Sequence, residues 1–406
     1  VGAGFYAAYT AGFLIRPVNA PLVLVLSGLV GCGAALLWTS QGVFITQNSD
    51  ETNRGSMNGL FFSILQLNFL PKSFGSYGLS CRHQTGADLP SSPRQATSKE
   101  KGWSKHLPSR ITSRRYLFLM LALSTALGSA TFLLCRQPPK TASPSTSQGL
   151  LRSVVQGAWN TFRVGTTRSM LLLGPFLSVA GVGMVFWSSW LTRQLPKASI
   201  GLSLAAFGTG EVVGGVSLGR LSDSIGRLKT LCLATLLWFV ALALALGGNL
   251  RLEAAEDEEA TPEVVAIFCL SALLIGLGDS AVQTQTASVL STHWAGQAAE
   301  AFAMLKVWQS IGPVVCYAVT PSLSDGSRAP PTAFAIEVAI TGATVGLGLL
   351  SYFVTVHTPM GRLGGKSGGA VDVEVRDGET DTVEMLPATD DGRCAAEEDT
   401  EVEVHV

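Results

Sequence analysis

The chain has 406 residues and a net charge of −1, and only 14% of its residues are Asp, Glu, Lys or Arg, against about 25% in an ordinary soluble domain. Hydrophobic residues reach 47% and the mean hydropathy is +0.35. A balanced, sparse charge offers no basic footprint for a nucleic-acid partner, and apolar runs at 22–43, 117–135, 231–248, 264–275 and 333–356 are cut to the roughly 20 residues a bilayer core demands, which excludes a soluble core.

Taken in chain order, ten candidate spans are predicted, at about 1–15, 21–46, 55–71, 116–135, 170–191, 200–218, 229–248, 264–290, 300–322 and 332–356. Polar breakers separate them, including Arg16-Pro17, Asn48-Ser49-Asp50, Leu195-Pro196-Lys197 and Arg328-Ala329-Pro330-Pro331. Backbone groups facing lipid must be satisfied within their own segment, so the spans are read as helices. Four spans precede the Pro/Ser/Thr-rich stretch 137–148 and six follow it. The expected organisation is an all-α membrane protein of two half-bundles. Residues 1–135 form an N-terminal half, 136–169 a cytoplasmic linker and 170–357 a six-helix C-terminal half. The Gly-rich then acidic tail 358–406 cannot bury a core and is expected to be disordered. The chain opens on Val1 inside an apolar segment, with no basic n-region, and reads as a piece of a longer protein or an incomplete gene product.

Charge placement orients the bundle. A cytoplasmic linker puts Arg136, Lys140, Arg152, Arg163, Arg168, Arg220, Arg227 and Lys229 on one side and the acidic loop 253–263 on the other. Residues 72–115 break the pattern: they are long, polar and basic, yet fall on the outer side. A lineage-specific insertion and translated non-coding sequence both account for them. The second is preferred, and no function is assigned to them.

The seven cysteines lie mostly in apolar runs and act as small hydrophobes. No Cys or His spacing resembles a metal site or a disulfide framework. No Walker loop, nucleophile arrangement or glycosylation sequon occurs. No metal, cofactor or enzymatic activity is expected.

Two spans are joined by Gly219-Arg220-Leu221-Ser222-Asp223-Ser224-Ile225-Gly226-Arg227-Leu228-Lys229. Glycine permits a tight turn and close helix approach, and Asp223 suits the positive N-terminus of a neighbouring helix. The segment resembles the loop of major facilitator transporters that recurs between their eighth and ninth helices, which implies a gating role for Gly219, Asp223, Gly226 and Arg227. Further motifs are similar to the Unc-93-like branch of that superfamily. They are Trp38-Thr39-Ser40-Gln41-Gly42, then Asn48-Ser49-Asp50-Glu51-Thr52-Asn53-Arg54-Gly55, then Gly276-Leu277-Gly278-Asp279-Ser280 with Gln283-Thr284-Gln285, then Ala301 to Ser310 with Lys306, Trp308 and Gln309. Order and spacing fit over most of 1–70 and 150–356, and within the branch the likeness is to the major facilitator domain-containing, Unc-93-like orphan group. The resemblance implies a two-halved fold whose first two helices are missing here.

Each motif also has a plain physical reading. Asn48, Ser49, Asp50 and Arg54 form a family loop motif in which Ser49 or Asp50 can cap the next helix, and Asp50 with Arg54 can pair at i, i+4. Trp38, near a span end, is read as an interfacial anchor. Ionisable residues inside spans cost about 2.5–3.5 kcal/mol on insertion scales and so need a partner or a cavity; Glu211, Asp279, Lys306 and Glu337 are of this kind. Asp279 and Lys306 come to similar depths when counted from the cytoplasmic ends, and a pair between them is predicted. Gln283 and Gln309 either line a polar cavity or link helices.

The functional expectation is a multi-pass transporter of an unknown small solute or ion, working by alternating access. The resemblance carries an alternative from another class, a non-transporting regulatory or trafficking subunit that binds an ion channel or receptor. The lipid bilayer is a partner in either case.

Overall fold

The computed structural model describes residues 2–13, 20–50, 52–67, 123, 150–197, 199–254, 261–323 and 329–357. The basic stretch 72–115, all of span 116–135 except Leu123, the first part of the linker (136–149) and the acidic tail lie outside them. Among the described residues every regular element is helical. In order these are α1 (Gly2–Gly12), α2 (Ala20–Gln47), α3 (Arg54–Gln66), α4 (Leu150–Gly165), α5 (Arg168–Val185), α6 (Ile200–Ile225), α7 (Arg227–Ala254), α8 (Pro262–His293), α9 (Ala298–Leu323) and α10 (Pro331–His357). A π-helical turn at Phe186–Trp190 carries α5 on to Arg193.

Local chemistry sets several boundaries. Thr167 and Thr261 cap α5 and α8 by accepting the amides of Met170 and Val264, and Pro262 stands where its missing N–H costs nothing. Gly226 stops α6 with φ of 91°, a left-handed conformation that side chains resist. Helix α7 begins at the next residue.

Seven helices among the described residues are long and apolar enough to cross a membrane: α2, α5 through Arg193, α6, α7, α8, a segment from Ala295 to Ser322 containing most of α9, and α10. Spans 1–15 and 55–71 correspond to α1 and α3, which at 11 and 13 residues are shorter than a bilayer crossing.

Burial follows the logic of lipid rather than of water. Leu24 is 72% exposed and Val314 68%, while Glu211, Gln285 and Glu337 are fully buried. Hydrocarbon solvates exposed leucine without cost, and polar groups must turn inward to find each other. The core holds Trp190, Trp238, Phe186, Phe207, Phe268 and Phe334. Trp187 stacks on Phe207 with ring centroids 4.1 Å apart, tying the π turn of α5 to α6.

Helix α6 packs on α8 along one face and on α3 along another, while α2 packs on α9. Glycine makes the α6 contacts possible. A methyl group on Gly215 would stand 2.6 Å from the Gly59 carbonyl oxygen of α3, and one on Gly276 of α8 would collide with the Phe207 carbonyl of α6. Only bare backbone fits at either crossing.

Candidate functional site

Glycines on two faces draw α6 against both α3 and α8, and this places Glu211, at the middle of α6, in the resulting seam. Glu211 is fully buried and Asp279 of α8 is 2% exposed. Their carboxyl groups are neighbours, with the Gln66 side chain of α3 beside Glu211. Among the described residues neither oxygen of Glu211 and not Oδ1 of Asp279 has a donor in hydrogen-bond geometry. Oδ2 of Asp279 accepts from Nε2 of Gln283, one turn along α8, at 3.0 Å.

Gln283 also lines a narrow crevice between α2 and α3 on one side and α8 and α9 on the other. Trp38, Phe62, Phe302, Lys306 and Gln309 line it too. Lys306 donates to Oε1 of Gln309 at 2.7 Å, and its ammonium stands over the Trp38 ring, 5.0 Å from the centroid. A cation there is attracted to the electron-rich indole face. Gln283 therefore connects a crevice with an ammonium in its wall to a buried carboxyl pair behind it.

The predicted ion pair between Asp279 and Lys306 does not form. Asp279 lies 14 residues before the end of α8 at His293 and Lys306 lies 8 residues after the start of α9 at Ala298. These are depths of about 21 Å and about 12 Å at 1.5 Å per residue. Asp279 meets Glu211, and Lys306 meets Gln309 and Trp38. Trp38 is accordingly a wall of the crevice rather than an interfacial anchor.

At the end of α6, Asp223 takes the N-terminus of α3. Its Oδ1 accepts the Gly55 amide at 3.0 Å, and its Oδ2 accepts the Ser56 amide at 2.8 Å and the Ser56 hydroxyl at 2.5 Å. The first amides of a helix lack internal partners and carry positive potential, so a carboxylate suits them. A methyl group on Gly219 of α6 would stand 2.9 Å from the Gly55 carbonyl oxygen, so the close approach needs a bare backbone there. Arg227 donates to Oγ1 of Thr292 at the last turn of α8, and Arg54 donates to the same oxygen at 2.9 Å. Thr46 adds a bond from α2 to Ser291 of α8 at 3.0 Å.

The Asn48–Arg54 motif folds differently from the expected cap. Asn53 is the N-cap residue of α3 and makes no side-chain cap bond. Ser49 donates to the Ile45 carbonyl and Asn48 to the Phe44 carbonyl, both closing α2. Oδ1 of Asp50 accepts from the Thr52 hydroxyl and from the Thr52 and Asn53 amides. The Thr52 hydroxyl first, then those amides and the nearby Arg54 charge, hold the Asp50 carboxyl below its ordinary range. Arg54 itself is 8% exposed and directed to Ser49 and Thr292. Thr292 and Gln66 are the residues sequence reasoning passed over. A single Thr or Gln in an apolar helix gives no signal until its neighbours are known.

A further polar contact joins Arg193, just after the π turn, to the fully buried Glu337 of α10. Trp190, within the π turn, donates to Oγ1 of Thr320 at 2.9 Å. Among the described residues no group of three or more His, Cys, Asp or Glu could hold a metal ion.

Comparisons with known proteins agree with this architecture. The UNC93-like protein MFSD11 of Xenopus laevis is 28% identical over 345 residues, covering 77% of this chain and 72% of that protein. Protein unc-93 homolog A of Bos taurus is 23% identical over 316 residues, covering 72% and 66%. The crystal structure of FucP, a major facilitator superfamily transporter in the outward conformation, superposes with a TM-score of 0.50 at 16% identity, over 86% of this chain and 80% of that one. That likeness establishes the fold, a multi-pass helical bundle of the major facilitator type. A family model described as ion channel regulatory protein UNC-93 matches residues 1–324, and the chain belongs to the UNC-93 family.

Proposed function

We propose that the protein is a secondary transporter that moves a small solute by alternating access, with Glu211 and Asp279 as its coupling group. The observation that carries this reading is the buried carboxyl pair, three of whose four oxygens have no donor in hydrogen-bond geometry among the described residues, and which touches the crevice through Gln283. Two negative charges side by side at that depth repel strongly, and one proton shared between them removes the conflict. A fixed ion pair would need no such proton. Solute entering the crevice displaces Gln283, opens the pair to water and lets its proton leave. Solute and proton are thereby linked in one cycle. The Asp223 latch closes the end of the bundle nearest the α6–α7 and α8–α9 connections. The linker 136–169 and that loop lie on the cytoplasmic side in this reading, and its breaking opens that side. The chemistry is translocation rather than catalysis.

The test is uptake into vesicles holding the purified protein, with and without an imposed pH gradient, across a library of small solutes. Gradient-driven uptake that is lost in Glu211→Gln, with solute exchange between equal pools retained, is the expected result. Gradient-independent uptake by both proteins removes the coupling role. No uptake of any solute, together with stable co-purification of a channel subunit, replaces the transporter by a regulatory protein. The family's description favours that second reading, and in it the crevice and the carboxyl pair serve packing alone.

A further inference from the structure

The crevice holds one charged side chain, Lys306, and among the described residues its ammonium has no carboxylate partner. Its contacts are the Gln309 carbonyl oxygen and the Trp38 ring, both neutral. Asp279 of the seam accepts from Gln283 and is buried. A half-buried cation inside a membrane span carries an unrelieved desolvation cost unless an anion joins it. Three flat aromatic faces line it as well, Trp38 on α2, Phe62 on α3 and Phe302 on α9, among the neutral polar side chains Gln41, Gln283, Thr286 and Gln309. An ammonium above an indole face, held by one neutral oxygen, is a site whose counter-charge arrives from outside.

We propose that Lys306 is the recognition group for an organic monoanion, a carboxylate on a flat apolar body, that binds between Trp38 and Gln309. The carboxylate takes the hydrogen bond that Gln309 now accepts, and the apolar body replaces the contact between ammonium and indole. The ring walls supply surface without polar demand, and Gln283 at the back of the crevice reports the arrival to Asp279. Because two neutral groups already hold the ammonium loosely, an anion gains a full charge interaction without first breaking a salt bridge. As the site of a transported solute it rests on the proposed function; as a binding site it stands on the crevice alone.

The experiment uses the full chain purified in detergent. Melting temperature is followed against matched sets of solutes that share a ring and differ in charge: benzoate, benzamide and benzylamine, and the corresponding indole and naphthalene series. The carboxylates are expected to stabilise the wild type saturably while amides and amines of the same shape do not. Lys306→Arg keeps this response, and Lys306→Gln weakens it at least about tenfold in apparent affinity. Without solute, Lys306→Gln melts at or above the wild-type temperature, since an unpaired charge has been removed. Stabilisation by amines, equal response of Lys306→Gln to carboxylates, no response to any carboxylate, or a solute-free variant that melts several degrees lower would each overturn the proposal. Binding here is read without transport. Carboxylate binding at Lys306 without vesicle uptake leaves this inference standing and sinks the transporter. Uptake confined to neutral or cationic solutes does the reverse.

Discussion

Oδ2 of Asp223 holds both the amide and the hydroxyl of Ser56, a residue 167 positions away in the chain. The contact joins the last turn of α6 to the first turn of α3, where two orphan amides face one carboxylate. A helix cap is thereby supplied from another helix, and separating the two helices uncaps one of them. Helix position and helix stability are coupled through a single side chain.

Asp223→Asn tests that coupling. It keeps an acceptor but removes the charge and one of the two equivalent oxygens, at a cost of about 1–2 kcal/mol. Hydrogen exchange at Gly55 and Ser56 is expected to quicken about tenfold, since 1.4 kcal/mol is one decade, with the α8 core unchanged. Unchanged protection at both amides would show that the cap does not hold α3.

The crossing of α3 and α6 depends on missing side chains. Gly215→Ala places a methyl group 2.6 Å from the Gly59 carbonyl oxygen, and overpacking of this kind costs about 1–3 kcal/mol. Gly247 has open space around its Cβ position, so Gly247→Ala serves as a control and is expected to leave the protein as stable or slightly more so. Melting temperatures of the two variants in the same detergent decide the matter, and equal values contradict the close approach.

Arg193 and Glu337 form a pair with side chains 13% and 0% exposed. Removing one member strands a buried charge, which costs about 3–5 kcal/mol, whereas replacing both with apolar residues is near neutral. Arg193→Met and Glu337→Leu are each expected to lower the melting temperature markedly, and the double variant to recover most of the loss. Additive losses in this double-mutant cycle would mean that the two do not act as a pair.

Glu211→Gln and Asp279→Asn each remove the charge conflict inside the seam while leaving its volume unchanged. If the pair holds a proton, either change is expected to leave folding intact and to flatten the pH dependence of uptake. Measured from pH 5 to 8, a variant whose profile still follows the wild type rules out that site as the titrating group.

Several features were legible from residues alone because each is a local conflict with the surrounding solvent. Runs of some 20 apolar residues can only be solvated by hydrocarbon, so the helical, membrane-spanning character needed no tertiary information. Glu211, Asp279, Lys306 and Glu337 stand out for the same reason, as charges where charge is costly. The glycines of the Gly219–Lys229 segment marked close approach and a tight turn in advance. The crevice was less legible. Trp38 near a span end looks the same in sequence whether it faces headgroups or a neighbouring lysine, and Thr292 and Gln66 are unremarkable until Arg54 and Glu211 arrive beside them.

Composition and run length thus determine which solvent each segment meets, since free energy of transfer is a property of the segment itself. Which charge meets which other charge was decided only when the helices packed. Asp279 and Lys306 differ by about 9 Å in depth, from 14 against 8 residues at 1.5 Å each, and the intervening turn put Gln283 against one and Trp38 under the other. Partnership depends on rotation and depth of whole helices, set by side chains far along the chain, and no local pattern encodes it.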